Sequence, residues 1–321
     1  MKPFDKSKLN IKPLSERSSK SDLSILIEPN STPPELSSEQ ASRLERIATS
    51  IKIAKGQDAP IVFAFGAHLI KNGLSKILIE LMQEGYVQHI LGNGATSIHD
   101  WELAFQGKTE EDVEHYVKEG QFGLWEETGH YLNIAISENA ELGYGTAVGK
   151  LIWEEKIGKE VVLHPHKEIS IFGQAFHLGI PISVSIGMGQ DIIHTHPDCD
   201  GAAIGEASYI DFLKFVETVS NLENGIYISV GSAITSPMVF EKALSMARNV
   251  ALQESRTLEN FNIIVNDIQP GTCDWHEREP PKNNPAYYLR FMKTFARMGG
   301  NCEYIEMDNR VFLHNLYHLL Q

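Results

Sequence analysis

The chain has 321 residues, 42% hydrophobic and 22% charged, with a net charge of −14. That is the composition of an ordinary soluble globular protein, with room for one large α/β domain or two small ones. No apolar run nears the roughly 20 residues that span a bilayer, and an acidic balance disfavours a nucleic-acid partner, which needs a basic patch.

With no apolar stretch behind residues 1–6, a secretory leader is not expected. The scattered Cys199, Cys273 and Cys302 form no CxxC pair, so a reducing, cytoplasmic setting is expected. Residues 1–38, rich in Ser, Pro and Lys, read as an irregular arm with one short strand over 23–27, ahead of a single α/β domain over 39–321. A helix is expected from an N-cap near Ser37 through Ala41, Leu44, Ile47, Ala48 and Ile51. A buried strand over 60–65 ends in Gly66-Ala67-His68, and one helix is predicted over 69–83. A second strand, over 87–91, ends in Asn93-Gly94-Ala95, with a short helix through Trp101. Residues 108–157 read as mostly helical, and the acids of Thr109-Glu110-Glu111-Asp112 suit a helix N-terminus.

Further on, a helix over 169–178 leads to a strand over 182–186. A Gly-, His- and Asp-rich segment fills 187–205, and a helix is predicted over 209–222. Then come strand 226–230, ending in Gly231-Ser232-Ala233, helix 237–251, and strand 261–265, ending in Asn266-Asp267. A loop spans 268–285, followed by a helix over 286–298, a strand over 302–305 and a helix over 311–320. Continuous apolar strands alternating with helices predict a parallel, doubly wound sheet covered on both faces.

In such sheets ligands bind at the carboxyl ends of the strands, where the four polar turns lie. Small residues there let backbone amides approach a phosphate. Neither a Gly-x-Gly-x-x-Gly fingerprint nor a P-loop is present, so an ordinary dehydrogenase or a P-loop enzyme is disfavoured. Within 187–201, Asp191, His194, His196, Asp198 and Asp200 form the densest polar cluster. It reads either as an active-site loop, with His194 or His196 as acid/base and Asp191 as an orienting or cation-binding carboxylate. Or it holds a divalent metal on His194, His196, Asp198 and Asp200, as in a metal-dependent hydrolase. The bland alternative is a helix cap at Asp198 or Asp200 beside surface histidines. His99 and Asp100, just after a strand-end turn, are a second catalytic candidate pair or a helix-end stabiliser. His164-Pro165-His166 and Glu126-Glu127 read as solvated.

Taken in order, these turns make the chain from about residue 61 to 320 resemble the deoxyhypusine synthase family. Phe65-Gly66-Ala67-His68-Leu69-Ile70, Asn93-Gly94-Ala95-Thr96, Gly187 through His196, Asn224-Gly225-Ile226 onward, Val265-Asn266-Asp267 and Met307-Asp308 are similar to that family's turns. The resemblance implies a Rossmann-like fold, a homotetramer, a polyamine-like substrate of transferase chemistry, and Asp191 at a polyamine-binding aspartate. It implies NAD held by Gly66, His68, Asn93, Gly94, Ala95, Gly231, Ser232, Asn266 and Asp308. The family's Trp-Gly-Lys motif is missing, with Lys293 in a helix-like stretch nearby, and no histidine stands near Pro237. Authentic deoxyhypusine synthesis, which runs through a lysine imine, is therefore not expected. What the sequence predicts is an enzyme with altered chemistry, with Asp191, His194 and His196 near the reacting atoms and His99 and Asp100 opposite, or a non-catalytic ligand-binding relative.

Overall fold

A computed structural model describes residues 1–271 and 279–321. The arm carries β1 (Ser19–Asp22) and leads into α1 (Ser38–Gly56), β2 (Ile61–Phe65), α2 (His68–Lys71), α3 (Ser75–Gln83), β3 (His89–Asn93) and α4 (Gly94–Gln106). There follow β4 (Lys108–Glu111), α5 (Val113–Lys118), α6 (Glu126–Glu138), α7 (Tyr144–Glu154), the hairpin strands β5 (Lys156–Ile157) and β6 (Glu160–Val161), and α8 (Ile171–Leu178). The second half runs β7 (Ile182–Ser185), α9 (Gly201–Ser220), β8 (Ile226–Val230), α10 (Thr235–Gln253), β9 (Asn262–Asp267), α11 (Arg290–Ala296), β10 (Asn301–Glu306) and α12 (Asn309–Leu320).

Six of these strands form the expected parallel sheet, in the order β10-β9-β8-β2-β3-β7. Along β2, alternate side chains enter different cores. Ile61, Phe63 and Phe65 join Leu44, Ile51 and Leu78 on one face, while Val62 and Ala64 join Phe215, Tyr227 and Phe240 on the other. A strand must be apolar throughout to satisfy both faces at once. Successive strands are laid down from β2 outward through β3 to β7, and then from β8 through β9 to β10. The order therefore reverses between β2 and β8, whose residues pair from Ile61↔Ile226 to Phe65↔Val230. This is the topology of dinucleotide-binding folds, whose ligand crevice opens at that reversal. No helix among the described residues is long and apolar enough to cross a membrane.

Several elements differ from expectation, each for a local reason. The arm's strand is β1, pairing antiparallel with β4 at Ser19↔Glu111 and Asp22↔Lys108; residues 23–25 form a 3-10 turn instead. Thr109, Glu110 and Glu111 therefore lie in a strand, and only Asp112 caps a helix, accepting from the His115 amide at 3.0 Å. The single helix predicted over 69–83 is split at Gly73, where φ is +78° and a methyl group would overlap the Ile25 carbonyl of the arm. Helix α9 starts at Gly201, eight residues before the expected start at 209, because Asp200 caps it by accepting from the amides of Ala202 and Ala203. The helix expected over 286–298 is shorter, Arg290–Ala296, behind a 3-10 turn at Pro285–Tyr288. Cys273 and part of the 268–285 loop lie outside the described residues.

Buried imidazoles make this fold sensitive to acid. His89, on β3, contacts Thr218 Oγ1 at 2.7 Å and Ser183 Oγ at 2.9 Å, and burial drives its pKa down to about 3. His99 and His164 are lowered to about 4, in both cases chiefly by burial. In the unfolded chain these groups take up protons near 6.5, but in the fold only near 3 to 4. Between those values the unfolded state binds more protons. Their contribution is therefore complete above about pH 6.5 and is lost as the pH falls, by about 1.4 kcal/mol per pH unit for each imidazole. The buried carboxyls of Asp100 and Asp211, raised by burial to about 6 and about 7, act with the opposite sign, so the difference between variants is what reports the imidazole: in urea unfolding at neutral and mildly acidic pH, His89→Gln should reduce the proton uptake on unfolding by about one. An unchanged slope in the variant would refute the assignment to His89.

Candidate functional site

Two cavities open at the carboxyl edge of the sheet, and the short helix α2 contributes to both. The first, of about 360 Å³, is lined by His68, Asn72, Gly231, Asn266, Asp267 and Asp308 among others. It lies where β2 and β8 part. A methyl group on Gly66 would overlap the Gly231 carbonyl, and the Gly66 amide donates to Val230 O at 3.1 Å, so only glycine lets the two turns approach this closely. Ser232 Oγ accepts from the Ser236 amide at 3.3 Å in the first turn of α10. Asn266 donates its Nδ2 to the carbonyls of Ile305 and Met307, while its buried Oδ1 has no partner among the described residues. Burial and the Lys71 charge lower the His68 pKa. The Asp308 carboxyl is held below its usual range by hydrogen bonds from Arg310.

The second cavity, of about 240 Å³, collects charge. Glu102, Glu110, Glu111 and Asp191 line it together with Arg17, Lys71 and His99. Arg17 reaches in from the arm and makes two bonds to Glu102, at 2.7 and 2.8 Å, with both side chains about 1% exposed. Thr109 and Thr128 donate to the same carboxylate at 2.7 and 2.9 Å. Burial pushes the Glu102 carboxyl up, but the Arg17 charge and these bonds hold it below its ordinary value. Glu110 is likewise lowered on balance by Ser21 and Lys71, whose ammonium lies 3.3 Å away.

Glu111 and Asp191 have no basic side chain paired with them among the described residues. Glu111 accepts from Trp125 Nε1 at 2.8 Å and the Gly123 amide at 3.3 Å through one oxygen. Asp191 sits against the first residue of α4, and a methyl group on Gly94 would overlap its carboxylate. Burial raises both pKa values. Two carboxylates desolvated without a counter-ion form a ready site for a cation.

The structure divides the sequence candidates. Gly66, His68, Gly231, Ser232, Asn266 and Asp308 gather around the first cavity. Ala95 lines the second, with Asn93 capping α4 beside it and Gly94 beneath Asp191. Three of the expected nucleotide residues thus stand with the acidic site. Of the catalytic candidates, Asp191 and His99 share that cavity, and Asp100 does not line it. Asp100 is fully buried and accepts from Ser170 Oγ, Ile171 N and Phe172 N, capping α8, with burial raising its pKa to about 6.

His194 and His196 are set apart from the cavity lining. His194 Nδ1 contacts the Asp191 carbonyl at 2.9 Å. The buried His196 ring lies against Gly129 on α6, with Nε2 3.7 Å from Glu126. Burial lowers the His196 pKa, against the opposing pull of Asp198 and Glu126. The alternative metal set does not assemble: Asp198 pairs with His130 at 2.5 Å, Asp200 caps α9, and no group of three or more ligating side chains among the described residues is arranged to hold an ion. His164, expected in solvent, is 1% exposed, packed edge-on to Trp101 and Phe105.

Arg17, Lys71, Glu102, Glu110 and Glu111 are the charged site residues that the sequence alone did not mark. Glu102 could have been suspected from its place three residues after His99 on α4. Arg17 could not, because its partner is 85 positions away.

No protein-family model matches the chain, and no curated protein does. Solved structures do share its fold. AgrE, in a ternary complex with ornithine and NAD+, aligns at 16% identity over 89% of this chain and 34% of its own, with a TM-score of 0.53. A conserved protein of Methanococcus maripaludis S2, described as LOR/SDH, aligns at 18% identity over 90% of this chain and 73% of its own, with a TM-score of 0.52. A chain from Entamoeba histolytica assigned as a deoxyhypusine synthase aligns at 11% identity over 87% of this chain and 86% of its own; its TM-score of 0.46 carries no weight. The chain therefore spans about a third of AgrE, and at these identities the likeness establishes the fold.

The Arg17–Glu102 pair gives a direct test of how the second cavity is held. Removing one partner of a buried ion pair strands the other charge, typically at about 3–5 kcal/mol. Arg17→Met should lower urea stability by that order, and Arg17→Met combined with Glu102→Gln should recover much of the loss. If the double variant is as unstable as the sum of its singles, the pair is not the link.

Proposed function

We propose that this chain is an enzyme that holds a nicotinamide dinucleotide in the first cavity and a small amine-bearing metabolite, a polyamine or a basic amino acid, in the second. The observation that carries this reading is the pair of cavities at one sheet edge, the first at the strand-order reversal with the unpartnered Asn266 oxygen and the second acidic. AgrE, caught with both ornithine and NAD+, supports the pairing of ligand types.

The residues of the first cavity fit a dinucleotide. The close Gly66–Gly231 turns and the start of α10 offer backbone amides and a helix end to a diphosphate. Asp267, Asp308 and the free Asn266 oxygen are acceptors suited to ribose hydroxyls or a carboxamide. When bound, the nicotinamide would supply hydride acceptance or donation. In the second cavity Glu111 and Asp191 bind and orient the ammonium. Lys71 and Glu110 neutralise each other, and Arg17 and Glu102 do the same, so the ligand meets two net negative charges. Lys293, the lysine near the family's reactive position, is no carrier for the deoxyhypusine reaction. Lys293 lies on α11 with its ammonium 3.8 Å from the centre of the Tyr287 ring, away from both sets of lining residues.

Calorimetric titration of the full chain tests this. NAD+ should bind, and putrescine or ornithine should bind with it. Asp191→Asn and Glu111→Gln should each weaken the amine about ten- to a hundredfold, as expected for losing a charged hydrogen bond, and leave NAD+ affinity unchanged. Absence of NAD+ binding would sink the proposal, and amine binding indifferent to both substitutions would move the amine elsewhere.

A further inference from the structure

His99 is the one imidazole lining the acidic cavity among the described residues, and its surroundings fix where its proton sits. Its Nδ1 is 2.7 Å from Thr109 Oγ1. The same hydroxyl oxygen is 2.7 Å from Glu102 Oε2. Glu102 is ionised, bound twice by Arg17 and approached on its other oxygen by Thr128. An ionised carboxylate only accepts, so the Thr109 hydroxyl must donate to it, and its oxygen is left to accept from His99. The opposite tautomer would set the Nδ1 lone pair against a hydroxyl oxygen whose proton is already committed. His99 Nε2 has no partner among the described residues.

We infer that Thr109 and Glu102, backed by Arg17, are positioning residues that hold His99 as the Nδ1–H tautomer and present its Nε2 lone pair to the cavity as a hydrogen-bond acceptor for an N–H or O–H of the ligand. The inference rests on the acidic cavity being the ligand site. The groups around the ring keep it neutral. Burial opposes a charge there, and Glu102 on its own helix and Glu110 on β4 are offset by Arg17 from the arm and Lys71 from α2. With Arg17 taken up by Glu102 and Lys71 by Glu110, Glu111, Asp191 and His99 Nε2 stand as three acceptors in the lining. A primary ammonium, with three N–H groups, complements such a set, and a fully alkylated one does not.

The test reads the tautomer directly, by two-dimensional NMR of protein labelled with 15N at histidine, with the His99 signals identified by their loss in His99→Gln. The wild type should show a protonated Nδ1 and a lone-pair Nε2 at neutral pH, unchanged down to about pH 5. Thr109→Ser should keep that pattern, and Thr109→Val should exchange the two nitrogens or mix the forms. A wild-type Nε2–H tautomer, or a pattern indifferent to Thr109→Val, overturns the inference. If Thr109→Val does not fold, the wild-type and Thr109→Ser spectra still decide. The spectra are taken without ligand, so failure of the amine to bind would tell against the proposed function and not against the relay.

Discussion

Glu102 is a carboxylate with almost no solvent, and everything on the acidic side of the molecule is arranged around keeping it charged. An ion moved into a protein interior loses hydration worth several kcal/mol, which only close and well-directed partners can offset. Here the partners come from three separate segments: Arg17 from the arm, Thr109 from β4 and Thr128 from α6. Satisfying one buried charge thus pins the arm to the domain, pairs β1 with β4 beside it, and sets the wall of the cavity in which His99, Glu111 and Asp191 stand.

Helix α2 is the piece that joins this wall to the sheet. It has four residues because Gly73 must turn left-handed under the Ile25 carbonyl. Within that one turn, His68 belongs to the cavity at the strand-order reversal and Lys71 to the acidic one.

Much of the scaffold could be read in advance because its cause is local. The runs at 61–65 and 226–230 are apolar at every position, and that demands two covered faces. Ser37 and Asn93 cap their helices as their side chains allow. The misread parts depend on distant partners. Thr109, Glu110 and Glu111 look like a helix start until β1 arrives to pair with them, and Asp100 looks catalytic until α8 places three donors around it. The dense histidine segment drew attention by composition, yet Asp198 and Asp200 are absorbed by His130 and by the start of α9. Asp191 could be marked in advance as a candidate cation ligand. That it would lack a basic partner could not be read, since the side chains available to it are set by tertiary packing.

The arm also has a bearing on how the molecule is made. Its buried anchors are far along the chain: Leu14 N donates to Glu127 across 113 positions, and Arg17 finds Glu102 across 85. At roughly 5–20 residues per second, the arm must wait about 5 to 20 seconds for the partners that fix it. During that interval Arg17 and Leu14 remain without the partners that bury them. The arm is therefore fixed only when Glu102 and Glu127 have followed it out, and the acidic wall it supports still waits for Asp191 before the cavity is closed.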